Sequence, residues 1–145
     1  MNLHIKSFEQ LTTTDLYEIL RLRSAVFVVE QTCPYQDIDG SDYESLHIYC
    51  EEDGQLLAYL RLYLQDTETM TARIGRVISA QRGIGLGSKI LSAGITAAKE
   101  ELHARHIFIE AQSYAIGFYE KAGFTVCGEE FLEDGIPHVP MTLDL

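Results

Sequence analysis

Basic side chains are scarce in this sequence. Its 145 residues include 11 lysines and arginines against 22 aspartates and glutamates, so the formal net charge is −11. A surface with this excess of negative charge repels the phosphates of nucleic acids and the headgroups of anionic membranes. The composition therefore argues against nucleic acids and membrane surfaces as partners, and the overall field favours cations.

Cysteines are also few, and the three present, Cys33, Cys50 and Cys127, are odd in number and far apart. They form no CxxC pair or Cys/His cluster, so we expect no metal site. The longest apolar runs, such as residues 25–29 and 56–60, are far shorter than the roughly 18 residues of a membrane span. The first residues lack a signal-peptide pattern, so we expect a soluble cytoplasmic protein with reduced thiols.

Apolar residues are plentiful, at 46% of the chain, and a typical domain has about 150 residues. We therefore expect one domain over residues 1–145 with a substantial core. Alternation of apolar and polar residues predicts strands at residues 3–8, 47–51, 55–65, 71–78, 107–111, 124–128 and 139–143. Helical periodicity predicts three helices, from Thr12 to about residue 30, from the glycine-rich stretch to about residue 104, and over residues 115–122.

Local signals support several of these boundaries. Thr12 and Asp15 form a T-x-x-D capping pattern, and Gly123 is placed to end the third helix. Asp-Gly pairs at residues 53–54 and 134–135 predict turns. Consecutive hairpin strands, followed by a strand–helix–strand unit, predict a mixed α/β sheet.

The most informative stretch is a glycine-rich turn before the second helix, RGIGLGS at residues 82–88. Glycines allow close approach of a ligand to the backbone, and a helix N-terminus attracts phosphate. Arg82 and Lys89 add positive charge beside it. By itself the stretch fits a simple turn, a dinucleotide-binding loop or a pyrophosphate-binding loop, although G-x-G-x-x-G is completed in neither register.

Two motifs together resemble the GNAT (Gcn-related N-acetyltransferase) superfamily. R-x-x-G-x-G at Arg82, Gly85 and Gly87 is similar to its acyl-CoA pyrophosphate loop, and FYEKAGF at residues 118–124 is similar to its second signature. Segments within residues 25–39, 74–77 and 133–138 resemble the ElaA-like branch. The resemblance implies the GNAT acyl-CoA N-acyltransferase fold, in which helices flank a mixed, mostly antiparallel sheet that splays to hold CoA.

The resemblance also implies a function. An amine would attack the thioester of acetyl-CoA directly in a ternary complex, and a non-catalytic acyl-CoA-binding or sensing domain on the same fold is the alternative. The backbone of Val77, Ile78 and Ser79 would follow the pantetheine arm, and Gln112 would replace a CoA-contacting asparagine of many relatives. Family habit suggests a homodimer. The residues implied to hold the pyrophosphate are Arg82, Gly83, Ile84, Gly85, Leu86, Gly87 and Ser88.

Tyr119 matches the tyrosine that in many of these enzymes contacts the cofactor and protonates the departing thiolate. A phenol with a pKa near 10 suits that role, although Tyr119 would also serve as a core aromatic. Candidates for the general base are Glu110, Glu30 and His138, and a water chain or purely structural roles are the alternatives.

Residues 30–44 carry five acidic side chains. They form either a charged surface loop or a negative rim that attracts a cationic amine.

Overall fold

The computed structural model describes residues 1–80 and 85–145. Within them, eight strands form one sheet in the order β1-β2-β3-β4-β5-β8-β6, and β7 pairs with β8. Only the pair β4–β5 is parallel among these strands. The predicted mixed, mostly antiparallel sheet is therefore confirmed. The strands are β1 (Asn2–Ser7), β2 (Leu46–Glu52), β3 (Gln55–Asp66), β4 (Thr71–Ser79), β5 (His106–Gln112), β6 (Thr125–Val126), β7 (Phe131–Glu133) and β8 (Ile136–Asp144).

Three α-helices lie in the described part of the chain: α1 (Thr13–Arg23), α2 (Leu86–Glu100) and α3 (Ile116–Lys121). The capping box predicted for α1 is present, because the Asp15 amide donates to Thr12 Oγ1 and the Thr12 amide donates to Asp15 Oδ2, each at 3.0 Å. Gly123 follows α3 with φ of 103°, as its predicted role requires. The Phe124 amide then donates to the Tyr119 carbonyl at 3.2 Å, which closes the helix end.

Side chains that alternate along β3 build a core on each face of the sheet. Leu60 belongs to the larger core, into which α2 packs, whereas Tyr59 packs with Ile19 of α1 on the opposite face. α2 approaches the sheet closely at Gly94, where an added Cβ would lie 2.9 Å from Leu60 Cδ2. The residues of α2 that are buried are Leu86, Ile90, Leu91, Gly94, Ala97 and Ala98.

The predicted helices and strands differ from the observed ones in several places. The first helix does reach Glu30, but its last part, Ser24–Glu30, is π-helical. α2 ends at Glu100 instead of residue 104, because His103 takes a left-handed backbone with φ of 54°. The strand predicted at 124–128 shrinks to β6, and the predicted turn at 134–135 joins β8 to β7, a strand that the apolar pattern did not reveal.

No helix in residues 1–80 and 85–145 is both long enough and apolar enough to cross a membrane.

Candidate active site

The sheet opens between its two parallel strands. β4 and β5 pair from Thr71–His106 to Arg73–Phe108, and among the described residues their pairing stops there. Beyond this point the strands diverge and line a cleft with a volume of about 470 Å³. The split therefore exposes backbone and side chains of both strands to a ligand.

A bulge in β4 borders the cleft. Arg61 of β3 pairs with Gly75 and Tyr59 pairs with Ile78, so β4 contains one more residue than the facing stretch of β3. Arg76 lies in the bulge with φ of 54°. This left-handed backbone costs free energy for a residue with a side chain. Interactions of the Arg76 guanidinium, described below, offset that cost.

Five of the predicted site residues line the cleft: Val77 from β4, Glu110 and Gln112 from β5, Tyr119 from α3 and His138 from β8. The distant segments that carry them meet because β5 lies between β4 and β8 in the sheet.

Three other predicted residues are not among the described residues that line this cleft, and the backbone contacts of Ile78 and Ser79 with the pantetheine arm stay a prediction. The Ile78 side chain packs in the core on the α1 face, Ser79 is exposed at the end of β4, and Glu30 is exposed at the end of the π-helical segment, outside the cleft walls that the structure describes.

The Gln112 side chain already has a partner. Its amide exchanges two hydrogen bonds with the amide of Gln31, at 3.2 and 3.3 Å. Gln31 follows the π-helical segment, so this pair ties the end of the first helix to the end of β5 across one side of the cleft. Gln112 therefore helps to hold one wall of the cleft in place. Its predicted contact with CoA would use the second N–H or the second lone pair of its side-chain amide.

Tyr119 is 9% exposed and lines the cleft. Its ring packs edge-to-face against Phe118 and Phe124, with centroids 5.1 and 5.9 Å apart. Burial raises the pKa of its phenol above the ordinary value of 10. The hydroxyl therefore stays protonated at neutral pH, and the raised pKa makes it a weaker acid than a free phenol.

His138 is oriented by the backbone of its own hairpin. Its Nδ1 lies 2.7 Å from the Ile136 carbonyl oxygen, and because a carbonyl only accepts, Nδ1 carries the proton. In the neutral form of the ring, the lone pair is therefore on Nε2, on the side away from Ile136. Stacking against Phe131, with ring centroids 5.8 Å apart, holds this orientation.

One carboxyl group lies beside this histidine, and a second lies beside the first. Glu133 Oε2 is 3.7 Å from His138 Nε2, and Arg73 Nη1 donates to Glu110 Oε1 at 3.1 Å. Burial raises the pKa of Glu133, and the neighbouring negative charge of Glu110 raises it further. This end of the cleft thus combines a fixed imidazole lone pair with a carboxyl group of increased proton affinity.

Glu133 and Arg73 were missed by the sequence analysis. A usable signal was present for Glu133, because it begins the EDGIPH segment and precedes a predicted Asp-Gly turn. In the hairpin Glu133 pairs with Ile136 and Phe131 pairs with His138, which makes Glu133 and His138 diagonal neighbours.

The acidic segment differs from both interpretations offered above. Asp37 and Asp42 are 7% and 6% exposed, and both bind Arg23, which is fully buried. Asp39 receives two hydrogen bonds from Arg61, at 2.6 and 2.9 Å. These three aspartates are therefore compensated by arginines, and they form neither a solvated loop nor a free negative rim.

This arginine–aspartate network shapes one wall of the cleft. Arg76 Nε donates to Asp37 Oδ1 at 2.8 Å and Arg76 Nη2 donates to the Asp37 carbonyl at 3.1 Å. Tyr35 donates to the same carboxylate oxygen at 2.6 Å. Burial disfavours the charge of Asp39, but the hydrogen bonds and charge of Arg61 outweigh this effect and lower its pKa. The network holds the loop against the β4 bulge.

The predicted pyrophosphate loop is described in part. Arg82, Gly83 and Ile84 lie outside the described residues. Gly85 precedes α2 with φ of 71°, a conformation that favours glycine. A Cβ on Gly87 would lie 3.3 Å from the Phe118 ring, whereas Leu86 is buried in the core. Ser88 borders a smaller groove between α2 and α3. The first turn of α2 thus keeps its backbone close to α3.

The described residues contain no group of three or more histidine, cysteine, aspartate or glutamate side chains that could hold a metal ion.

Comparison with known proteins agrees with this geometry. The family described as acetyltransferase (GNAT) domain matches residues 13–145. Protein ElaA of Escherichia coli is 38% identical over 140 residues, which cover 94% of this chain and 92% of ElaA. The crystal structure of ElaA superposes with a TM-score of 0.91 over 97% of each chain, at 36% identity. An acyl-CoA N-acyltransferase from Pseudomonas aeruginosa superposes with a TM-score of 0.90, at 39% identity, over 98% of this chain and 99% of that one.

The chain therefore belongs to the GNAT acetyltransferase family, whose members use an acyl-CoA cosubstrate. The similarity to ElaA over almost the whole chain places it in the ElaA-like branch. The family match favours the pyrophosphate-loop interpretation of the glycine-rich stretch over the dinucleotide-binding one.

Proposed function

We propose that this chain is an N-acetyltransferase that moves an acetyl group from acetyl-CoA to a primary amine by direct attack in a ternary complex. The observation that carries the proposal is the cleft between the diverging strands β4 and β5, because its described walls bring Tyr119 and His138 together. One is a buried, protonated phenol, and the other presents an oriented lone pair. Direct acyl transfer requires such a proton donor and such an acceptor.

The base is His138 in this proposal. Its Nε2 takes a proton from the acceptor ammonium, and the neutral amine then attacks the thioester carbonyl carbon. Glu110 is the weaker candidate because Arg73 Nη1, 3.1 Å from its carboxylate, stabilises the unprotonated form. Glu30 is the weakest, since it lies outside the described walls of the cleft.

The tetrahedral intermediate collapses with cleavage of the carbon–sulfur bond, and Tyr119 donates its phenolic proton to the departing thiolate. The backbone of Val77, Ile78 and Ser79 is proposed to lie along the pantetheine arm, with one strand N–H of this segment as donor to the oxyanion. As the amide forms, its nitrogen loses the second proton to solvent, and CoA leaves as the thiol. Solvent also returns a proton to Tyr119 and removes the one held by His138, so one proton is released overall.

The acceptor is cationic before reaction because a primary amine is protonated at neutral pH. Since arginines compensate Asp37, Asp39 and Asp42, attraction of this cation falls to acidic groups at the β5–β8 end of the cleft. Glu133 lines that end together with Glu110, whose charge is already partly compensated by Arg73 at 3.1 Å.

The test combines ligand binding with turnover. Acetyl-CoA should raise the melting temperature of the protein and NAD should not. Thiol release should then be measured with acetyl-CoA and a panel of primary amines. Stabilisation by acetyl-CoA without amine-dependent thiol release would favour the non-catalytic sensing domain and refute the enzymatic proposal.

A further inference from the structure

Glu133 stands out among the cleft residues because the motifs do not single it out and the proposed proton transfers do not use it. It is the last residue of β7 and faces the cleft from the hairpin that also carries His138. The charged and titratable groups that interact with it are Glu110, Arg73 and His138. Glu133 therefore belongs to the same charged cluster as the proposed base.

The spacing between Glu133 and His138 is informative. Glu133 Oε2 and His138 Nε2 are 3.7 Å apart, which is too far for a direct hydrogen bond. In the neutral tautomer set by the Ile136 carbonyl, both atoms are acceptors. A single nitrogen that lies to one side of the line joining them can reach each at about 2.9 Å, with an angle of about 80° between the two contacts.

A primary ammonium has the donors and the charge that suit this position next to both acceptors. It carries three N–H donors and a positive charge, so it can bind both acceptors and leave the third donor free. Glu110 lies beside Glu133 and adds negative charge, while Arg73 holds the Glu110 carboxylate on its other side. A neutral hydroxyl has a single donor and would gain less from this arrangement.

We propose that Glu133 binds the acceptor ammonium and places its nitrogen against His138 Nε2, so that Glu133 determines specificity for primary amines. The inference rests on the proposed function and adds the residue that fixes the acceptor. No covalent step is assigned to Glu133. It holds the ammonium, and the proton moves from nitrogen to His138 before the amine attacks.

The kinetic test compares Glu133→Gln with Glu129→Gln, an exposed position outside the cleft. Glu133→Gln should raise KM for the amine about tenfold to a hundredfold, because it removes a charged hydrogen-bond acceptor. KM for acetyl-CoA should stay unchanged, and Glu129→Gln should match the wild type. Thiol release with an unchanged amine KM in Glu133→Gln would overturn this inference and leave the proposed function intact.

A second test needs no turnover. The Glu133 carboxyl carbon, assigned by its absence in Glu133→Gln, can be followed by ¹³C NMR as pH is varied. Addition of n-butylamine should move its titration to lower pH, since a bound cation favours the carboxylate, whereas n-butanol should not. An unchanged titration with n-butylamine would overturn the inference. If the titration moves but no amine supports thiol release, the ammonium site stands and the proposed function fails.

Discussion

Replacement of Arg23 by methionine should destabilise the protein strongly. The Arg23 guanidinium is completely buried and donates to Asp37 Oδ2 at 3.0 Å, to the Asp37 carbonyl at 3.0 Å and to Asp42 Oδ1 at 2.6 Å. Methionine keeps an unbranched apolar stem and has a helix propensity close to that of arginine. The variant therefore tests the loss of the charge and its hydrogen bonds more than a loss of helix or volume.

The expected cost follows from the burial of the partners. Without Arg23, the buried Asp37 and Asp42 would each lose one arginine and retain only Arg76 and Arg61, respectively. Removal of one member of a buried ion pair costs about 3–5 kcal/mol. Arg21 provides the control on the same helix. It lies 3.0 Å from Glu18 but its side chain is 70% exposed, so Arg21→Met should cost only about 0–1 kcal/mol.

Urea unfolding measures the difference. With a slope of about 2 kcal/mol/M, Arg23→Met should lower the unfolding midpoint by about 1.5–2.5 M, provided that the slope matches the wild type. Arg23→Lys should fall between the two, because lysine keeps the charge but loses the planar, multi-donor geometry. Equal midpoints for Arg23→Met and Arg21→Met would refute the view that this buried network stabilises the fold.

Three further predictions concern pH, packing and catalysis. Burial lowers the pKa of His47 below its ordinary value of 6.5, so the unfolded state binds more protons and stability should fall as pH drops from about 6.5 through the folded pKa. Urea midpoints between pH 7.5 and 5 should show this slope, and a His47→Gln variant with an equal slope would contradict it. Gly94→Leu should lower the free energy of unfolding by about 1–3 kcal/mol, because the added side chain overpacks α2 against β3. Thr96→Leu, on the exposed side of α2, should lower it less. Equal urea midpoints for the two variants would contradict the close approach of α2 to β3 at Gly94. Tyr119→Phe should lower kcat for thiol release about 10²- to 10⁴-fold with little change in KM for acetyl-CoA. Its control is Tyr17→Phe, at an exposed position on α1. An unchanged kcat in Tyr119→Phe would exclude Tyr119 as the general acid.

The ion-pair network also explains how the fold tolerates the β4 bulge. Asp37 binds Arg23 of α1 with one carboxylate oxygen and Arg76 of the bulge with the other. The bulge thus lies at the junction of a helix, a loop and the sheet. Its strained backbone is stabilised by contacts that are brought together only when all three elements have folded.

Features that depend on neighbouring residues were predictable from the sequence. The capping box at Thr12, the helix end at Gly123 and the turns at 53–54 and 134–135 each use partners within a few positions along the chain. The family motifs similarly located Tyr119 and the first turn of α2. Strand β7 was missed because it has only three residues, too few for alternation to be visible.

The tertiary structure decided the charge balance and the chemistry of the cleft. In the sequence, residues 30–44 show an excess of acid, whereas the arginines that compensate their aspartates are 14 to 39 positions away along the chain. Glu133 and Glu110 come together only because β8 pairs with both β7 and β5. The sequence by itself determined where helices and turns begin and which family motifs are present, since these depend on local geometry. Long-range packing decides which charges are buried, which are paired and which are directed at a ligand. The reason is that the strength of an electrostatic interaction depends on distance in space and on exclusion of water.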